Sequence, residues 1–359
     1  MSSQFSPDLT TLGWTAERSD ELAALGRPEL APARVAGASH GLLDLLGAGG
    51  PLAGHVAGRL RHEAATAADL PAVGDWVAVD DDGVVHAVLP RRGGIARADP
   101  GGRSEPQLLA ANVDVALVVG SLNLDLNVRR LERMLTLAAD ARAEAVVVLS
   151  KADLAADPWA RVADVRLALG GTVPVIAISV HAGTGLDALT AWLRPGATAV
   201  LLGSSGVGKT TLLNALAGGP PRYTAPIRAG DDRGRHATTA RELVPLDSGA
   251  LVIDTPGLRL PRVWEQAAGL ETAFADVAAL AEQCHFRDCR HEGEPGCAVA
   301  AAVADGRLRA DRLAGLAKLE RERARIEARR DARARAEARR AARAQQKALR
   351  RRLREKRGG

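Results

Sequence analysis

Residues 199–218 read AVLLGSSGVGKTTLLNALAG. A short apolar run leads into a glycine-rich octapeptide, and an amphipathic helical stretch follows. The octapeptide Gly203–Thr210 fits Gly-x-x-x-x-Gly-Lys-[Ser/Thr], and its flanks, strand before and helix after, are those a phosphate-binding loop requires. In such a loop the backbone N–H groups of Gly203, Ser204, Ser205, Gly206, Val207 and Gly208 wrap a phosphate. The helix N-terminus, through Thr211, adds favourable partial positive charge. Lys209 is expected to reach the β- and γ-phosphates, and the Thr210 hydroxyl to bind Mg²⁺.

About 45 residues downstream of the octapeptide, Asp254-Thr255-Pro256-Gly257 follows the apolar run ALVI. A carboxylate at a strand end suits Mg²⁺ coordination through water, and Gly257 is placed to offer its N–H to a γ-phosphate. Between the two motifs lies GRHATTARELVPL, in which Thr238 and Thr239 precede a strand. One of them is expected to give a switch hydroxyl to Mg²⁺ when the γ-phosphate is present.

A base-reading motif belongs after Gly257 in an ordinary GTPase, and none is there. It stands upstream. Ser150-Lys151-Ala152-Asp153 ends the run EAVVVL, and Ile178 to Gly185 (ISVHAGTG) ends VPVIA. In the pattern Asn-Lys-x-Asp the carboxylate accepts from guanine N1 and the exocyclic amine, while the Lys stem packs on base or sugar. The second loop, around Ser179 and Val180, offers a backbone N–H to O6. Adenine lacks that pair of donors, so selectivity follows. The motifs therefore run in circularly permuted order, and cutting a compact domain at a different surface loop preserves its site in space.

The runs VDVALVV, AEAVVVL, VPVIAIS and ATAVLLG alternate with helix-prone segments at 127–140, 158–169 and 185–193. Strands that are apolar on both faces, alternating with helices, predict a mostly parallel sheet covered on both sides. Residues 32–98 have a different texture. ARVAG, HVAGRLRH, GDWVAVD and GVVHAVLP, punctuated by Gly, Pro and Asp, predict a small β-barrel, with Trp76 in its core and 98–102 as a linker. Residues 1–31 form a polar, helix-prone lead-in.

The three cysteines, Cys284, Cys289 and Cys297, cluster around His291. Three thiolates and one imidazole complete a tetrahedral zinc set with no position left for water, so one structural zinc is expected. His285, adjacent to Cys284, has poor ligand geometry and is expected at the surface. The net charge of +5 is unevenly spread: from Lys318 onward it is +12, and for the rest −7. Such a tail, Ala/Arg/Glu-rich from about Arg321, suggests a polyanionic partner; fully helical, it would reach about 50 Å from the body. Arg59, Arg61, His62, Arg91, Arg92 and Arg97 suit either RNA backbone contact or a solvated face. The segment MSSQFSPDLTTLGW lacks the basic and apolar regions of a signal peptide, and no apolar run is long enough to span a bilayer. A cytoplasmic protein is expected.

With barrel and GDWV, permuted motifs, GRHATT, DTPG and the Cys/His cluster in that order, nearly the whole chain resembles the RsgA/YjeQ family of ribosome small-subunit-dependent GTPases. The resemblance implies an OB-fold (32–98), a circularly permuted P-loop GTPase domain (99–264), a helical zinc domain (265–318) and a basic helical tail (319–359). It also implies late maturation of the small (30S) ribosomal subunit, with subunit-stimulated hydrolysis of GTP to GDP, contact with its rRNA, and a monomer free of membrane. Two departures stand out. The base motif has Ser150 in place of Asn, which shifts the burden of guanine selection to Asp153. His-Thr-Thr becomes His236-Ala237-Thr238, making Thr238 the chosen Mg²⁺ ligand. Leu258 stands where many GTPases carry Gln, as is usual in this family, so Arg235 and His236 are the resident candidates for activation. Two rivals stay open: an ATPase not tied to the ribosome, and an RNA-binding factor that uses nucleotide only as a regulatory ligand.

Overall fold

The computed structural model describes residues 8–39, 41–98, 106–122, 126–218, 241–255 and 267–328. Five strands open the chain: β1 (Ala31–Ser39), β2 (Leu42–Gly47), β3 (Gly50–Val56), β4 (Trp76–Val79) and β5 (Val84–Val88). They pair in the order β1-β2-β3-β5-β4, and β4 returns to β1, so the sheet closes on itself. Only β3 and β5 run parallel. This is an OB-like barrel, and closure removes the exposed edges that short strands otherwise present. The barrel interior is aliphatic, with Ala33, Val35, Leu43, Leu45, Val77, Val79 and Val85 buried together.

Residues 94–98, read from sequence within the barrel segment, pair elsewhere. β6 (Gly94–Ala98) forms an antiparallel ribbon with β7 (Pro106–Ala111). The expected linker at 98–102 falls largely outside the described residues. Six strands follow: β8 (Val115–Ser121), β9 (Glu144–Ser150), β10 (Val175–Ala177), β11 (Thr198–Leu202), β12 (Glu242–Pro245) and β13 (Leu251–Asp254). Their order is β10-β9-β8-β11-β13-β12, and only β12 is antiparallel to its neighbour. The alternation of side chains explains the continuous apolar runs. In β8, Val115, Leu117 and Val119 enter one core layer while Ala116 and Val118 enter the other, as a strand covered on both faces demands.

At its far edge β12 pairs with β1 of the barrel, Gly37 opposite Glu242, so one ladder joins the two units. Arg34 seals the junction. Its guanidinium donates to Leu12 O and Thr198 Oγ1, both at 2.9 Å, and lies over the Trp76 ring. Burial lowers its pKa to about 10. Trp76 is buried, and Trp14 meets it edge-on at 4.7 Å, so the polar lead-in is packed against the barrel.

The C-terminal segment is helical at Ala267–Ala273, Ala275–Ala281, Ala298–Ala304 and 310–328. Leu270, Phe274, Val277, Val299, Leu308 and Leu319 share a core layer with the sheet. Helix 310–328 crosses the boundary expected at 318, because Leu313, Leu316 and Leu319 form an apolar stripe that packs on that core. Residues 329–359 lie outside the described residues. Among the described residues no helix is long and apolar enough to cross a membrane.

Candidate functional site

The carboxyl ends of β8, β9, β11 and β13 deliver Ser121, Ser150, Gly203 and Asp254 to one rim of the sheet, where open α/β sheets bind ligands. Gly203 starts the loop because nothing larger fits: a Cβ there would sit 2.8 Å from Val119 O. Gly208, at φ +96°, turns the chain into the helix Lys209–Leu216, a conformation that favours glycine. Val207 is buried, whereas Ser205, Gly206, Thr210 and Thr211 are exposed.

Lys209 arches back over the loop, donating from Nζ to Gly203 O (2.9 Å) and Ser204 O (3.0 Å). Burial lowers its pKa, and Asp254 opposes that shift. Asp254 is 3% exposed. Burial raises its pKa, against Lys209 and a hydrogen bond from Thr210. Its Oδ1 has no hydrogen-bond partner among the described residues. A buried carboxylate oxygen left over beside a Thr hydroxyl and a phosphate loop is a fitting acceptor for a hydrated divalent cation. Thr255, which sequence reasoning passed over, clasps β13 to β11 by donating to Leu201 O at 2.5 Å.

The residues expected from sequence to read the base stand on the same rim. The Ser150 hydroxyl is buried, 2.5 Å from Val207 O and 3.0 Å from Gly120 O. It faces the phosphate loop and ties β9 to it. Lys151, at φ +58°, lays its side chain across the loop and donates to Gly206 O at 2.9 Å. Asp153 is exposed, and its Oδ1 accepts from Ser179 Oγ at 2.5 Å, which holds the carboxyl below its ordinary pKa. Ser179 in turn accepts from Ala182 N and forms a backbone bridge with Thr184. Val180 packs on the core beneath. Since the Ser150 hydroxyl braces the loop, Ser150→Ala is expected to weaken GTP and ATP binding by the same factor, about tenfold for one lost hydrogen bond. Parallel titrations with fluorescent analogues of both nucleotides check this; a changed GTP/ATP ratio would assign Ser150 to base reading instead.

One neighbour carried no local sequence signal. Arg130, in the first turn of the helix Val128–Asp140, brings Nη1 to 3.5 Å from Ser204 Oγ. Thr238, Gly257 and Leu258, with Arg235 and His236, lie outside the described residues.

The second cluster is Cys284, Cys289, His291 and Cys297, whose donor atoms all lie within 4.8 Å of one another. Cys284 Sγ is 3.7 Å from His291 Nδ1 and 3.9 Å from Cys297 Sγ, and Cys297 Sγ is 3.5 Å from His291 Nδ1. A tetrahedron with bonds of about 2.3 Å to sulfur and about 2.1 Å to nitrogen has edges of roughly 3.5–3.8 Å. The donor set therefore fits one zinc ion, and all three cysteines are free thiols. His285 is exposed with its ring edge-on to Phe286.

Of the barrel cations, Arg59, Arg61 and His62 are exposed on the helix Gly58–Glu63. Arg91 is turned inward, paired bidentately with fully buried Asp75 and bonded to Leu70 O, so it braces the barrel and is not a free surface cation. Arg92 pairs with Glu17. The Arg97 side chain lies outside the described residues.

Residues 88–264 match the family described as RsgA GTPase. The small ribosomal subunit biogenesis GTPase RsgA of Opitutus terrae is 46% identical over 338 residues, covering 90% of this chain and 92% of the relative. The protein of that name from Syntrophotalea carbinolica is 44% identical, covering 88% and 89%. Among solved structures, YjeQ from Thermotoga maritima superposes with a TM-score of 0.62 at 26% identity, over 82% of this chain and 98% of that one. YloQ, described as a circularly permuted GTPase, gives 0.57 at 24% identity, over 84% and 97%.

Proposed function

The chain belongs to the RsgA family of small ribosomal subunit biogenesis GTPases, and from that membership we propose that it binds GTP, hydrolyses it to GDP and phosphate, and acts in maturation of the small ribosomal subunit. The observation that carries the reading is the convergence, on one sheet rim, of the Gly203–Thr210 loop, buried Asp254 and the Lys151–Asp153 turn.

In this reading the N–H groups from Gly203 to Thr211 cradle the phosphates and Lys209 neutralises the β- and γ-oxygens. Thr210 and Thr238 supply hydroxyls for Mg²⁺, Asp254 holds its water shell, and Gly257 senses the γ-phosphate. When bound, Mg²⁺ draws charge from the phosphate oxygens. Ser150 and Lys151 fix the loop against the base site, Asp153 reads the guanine edge, and Ser179 and Val180 frame it. Leu258 has no polar atom with which to orient water. Activation is therefore assigned to the subunit, which orders the segment holding Arg235 and His236. Cys284, Cys289, His291 and Cys297 hold a structural zinc. The protein works as a cytoplasmic monomer, with rRNA met by Arg59, Arg61, His62 and the basic tail.

GTP turnover by the purified protein is expected to be slow alone and stimulated by purified small subunits. ATP turnover at the same rate would favour the ATPase reading. Tight GTP binding without turnover in either condition would favour a nucleotide-regulated RNA-binding factor. Deleting residues 329–359 removes a net charge of +11 and spares the Glu322 ion pair with Arg133. The truncated chain is expected to bind ribosomal RNA more weakly, with a flatter dependence of log affinity on log salt. An unchanged slope would mean that the tail does not meet phosphate.

A further inference from the structure

The helix Val128–Asp140 touches the phosphate loop at one end and the C-terminal segment along its length. At the first turn Arg130 reaches the Ser204 hydroxyl, and Asn127 and Met134 wall a narrow cleft against Ser204 and Val207. The next residues are locked elsewhere. Glu132 pairs with Arg312 at 3.0 Å, both all but inaccessible to solvent. Arg312 also donates to Ala273 O at 2.6 Å and to Asp276 at 2.8 Å, and lies 4.0 Å above the Phe274 ring. Arg133 forms a bidentate pair with Glu322, both contacts at 2.8 Å. Gly315 passes so close that a Cβ would sit 2.6 Å from Glu132 Oε2.

Such a joint is stiff. Sliding one helix past the other would strand Glu132 or Arg312 as an uncompensated buried charge. The phosphate end, by contrast, is adjustable. Lys209 donates to Gly203 O and Ser204 O, and a phosphate in the loop competes for the same ammonium. Drawing Lys209 off those carbonyls releases the Gly203–Ser204 peptide, whose side chain Arg130 contacts.

We propose that Arg130 is a positioning residue that braces the outer wall of the phosphate loop, and that its helix passes the occupancy of that loop to helix 310–328 through the Glu132–Arg312 pair. The proposal rests on Gly203–Thr210 being the nucleotide loop. It adds a route to the C-terminal segment that does not use the switch segments, and each ligand-dependent state is read through differential contacts.

The test is amide hydrogen exchange on the full chain, with and without saturating GDP, with binding measured separately by a fluorescent GDP analogue. In the wild type GDP is expected to slow exchange over 310–328 by about threefold or more. Arg130→Met is expected to weaken GDP binding several-fold and, at saturation, to erase that difference; Arg130→Lys, which keeps a cationic donor, is expected to restore part of it. Glu132→Gln, remote from the loop, is expected to bind GDP as the wild type does and also to lose the response. GDP binding with no change over 310–328 in the wild type, or a full response in Arg130→Met, would overturn the coupling while leaving the nucleotide site intact. Failure of the wild type to bind GDP would overturn the loop reading and the coupling with it.

Discussion

Cys289→Ala, or chelation of the wild type, is expected to unfold the segment around 282–297 and to lower the melting temperature of the C-terminal part, while GTP binding changes by less than about threefold, the range left when distant sites act independently. The expectation comes from how little else holds this segment. Between 282 and 297 only Cys297 is buried, and the chain runs in turns, with His291 at φ +62° and Gly293 and Gly296 also left-handed. Apolar burial cannot offset the entropy of ordering such a stretch. A structural zinc contributes apparent binding energies on the order of 10 kcal/mol or more to folding, ample to close the difference.

The damage has a boundary. Cys297 caps the helix Ala298–Ala304 by accepting from Ala300 N, so loss of the cluster should fray that helix first. Beyond it Val299, Ala302 and Leu308 are anchored in the core shared with the sheet, and Arg312 is held by three carbonyl or carboxylate partners. The phosphate loop lies across that core. One zinc per chain by metal analysis, and protease cleavage confined to about 282–304 after chelation, are the expected readings. Absence of zinc from freshly purified protein, or an unchanged melting profile for Cys289→Ala, would show that the four ligands pack without metal.

The parts legible from sequence are those whose physics is local. Gly203–Thr210 shows itself because glycines, a lysine and a helix start are needed in adjacent positions, and the apolar runs of β8, β9 and β11 because burial on both faces leaves no polar alternation. What escaped depends on pairing at a distance. Nothing near residue 94 states that Gly94–Ala98 prefers 106–111 to the barrel, since β-propensity does not choose a partner. Arg91 resembles any surface cation until Asp75 is found buried beside it. Residues 319–328 look like the start of a free basic tail, yet Leu319 is buried in the shared core and Glu322 pairs with Arg133 on a helix about 190 residues earlier in the chain. Ser150 was visible as a departure from Asn, but the direction of its hydroxyl, towards Val207 O, was not.

Asp153→Asn is expected to reduce GTP affinity by roughly 10²–10⁴ and to raise affinity for xanthosine triphosphate. Two hydrogen bonds to a charged group, at about 1.5–3 kcal/mol each, set that range. Guanine presents N1–H and an exocyclic amine to the carboxylate. Xanthine keeps N1–H and carries a carbonyl where the amine stood. In the structure Ser179 Oγ donates to Asp153 Oδ1. An asparagine can preserve that contact by keeping its oxygen towards Ser179, still accepting from N1–H, while its amide nitrogen turns to the purine and donates to the xanthine carbonyl. Facing guanine, the same nitrogen meets an amine, donor against donor, and the site rejects it. Ser179 thus selects the amide orientation, so Ser179→Ala in the Asp153→Asn background is expected to blunt the preference for xanthosine triphosphate by letting the amide rotate. Competition titrations with GTP, ATP and xanthosine triphosphate read all three effects. Equal binding of ATP and GTP by the wild type would remove Asp153 from base recognition. Loss of every nucleotide by Asp153→Asn, with the fold intact, would mean that the carboxylate organises the Ser179 loop and does not read the base.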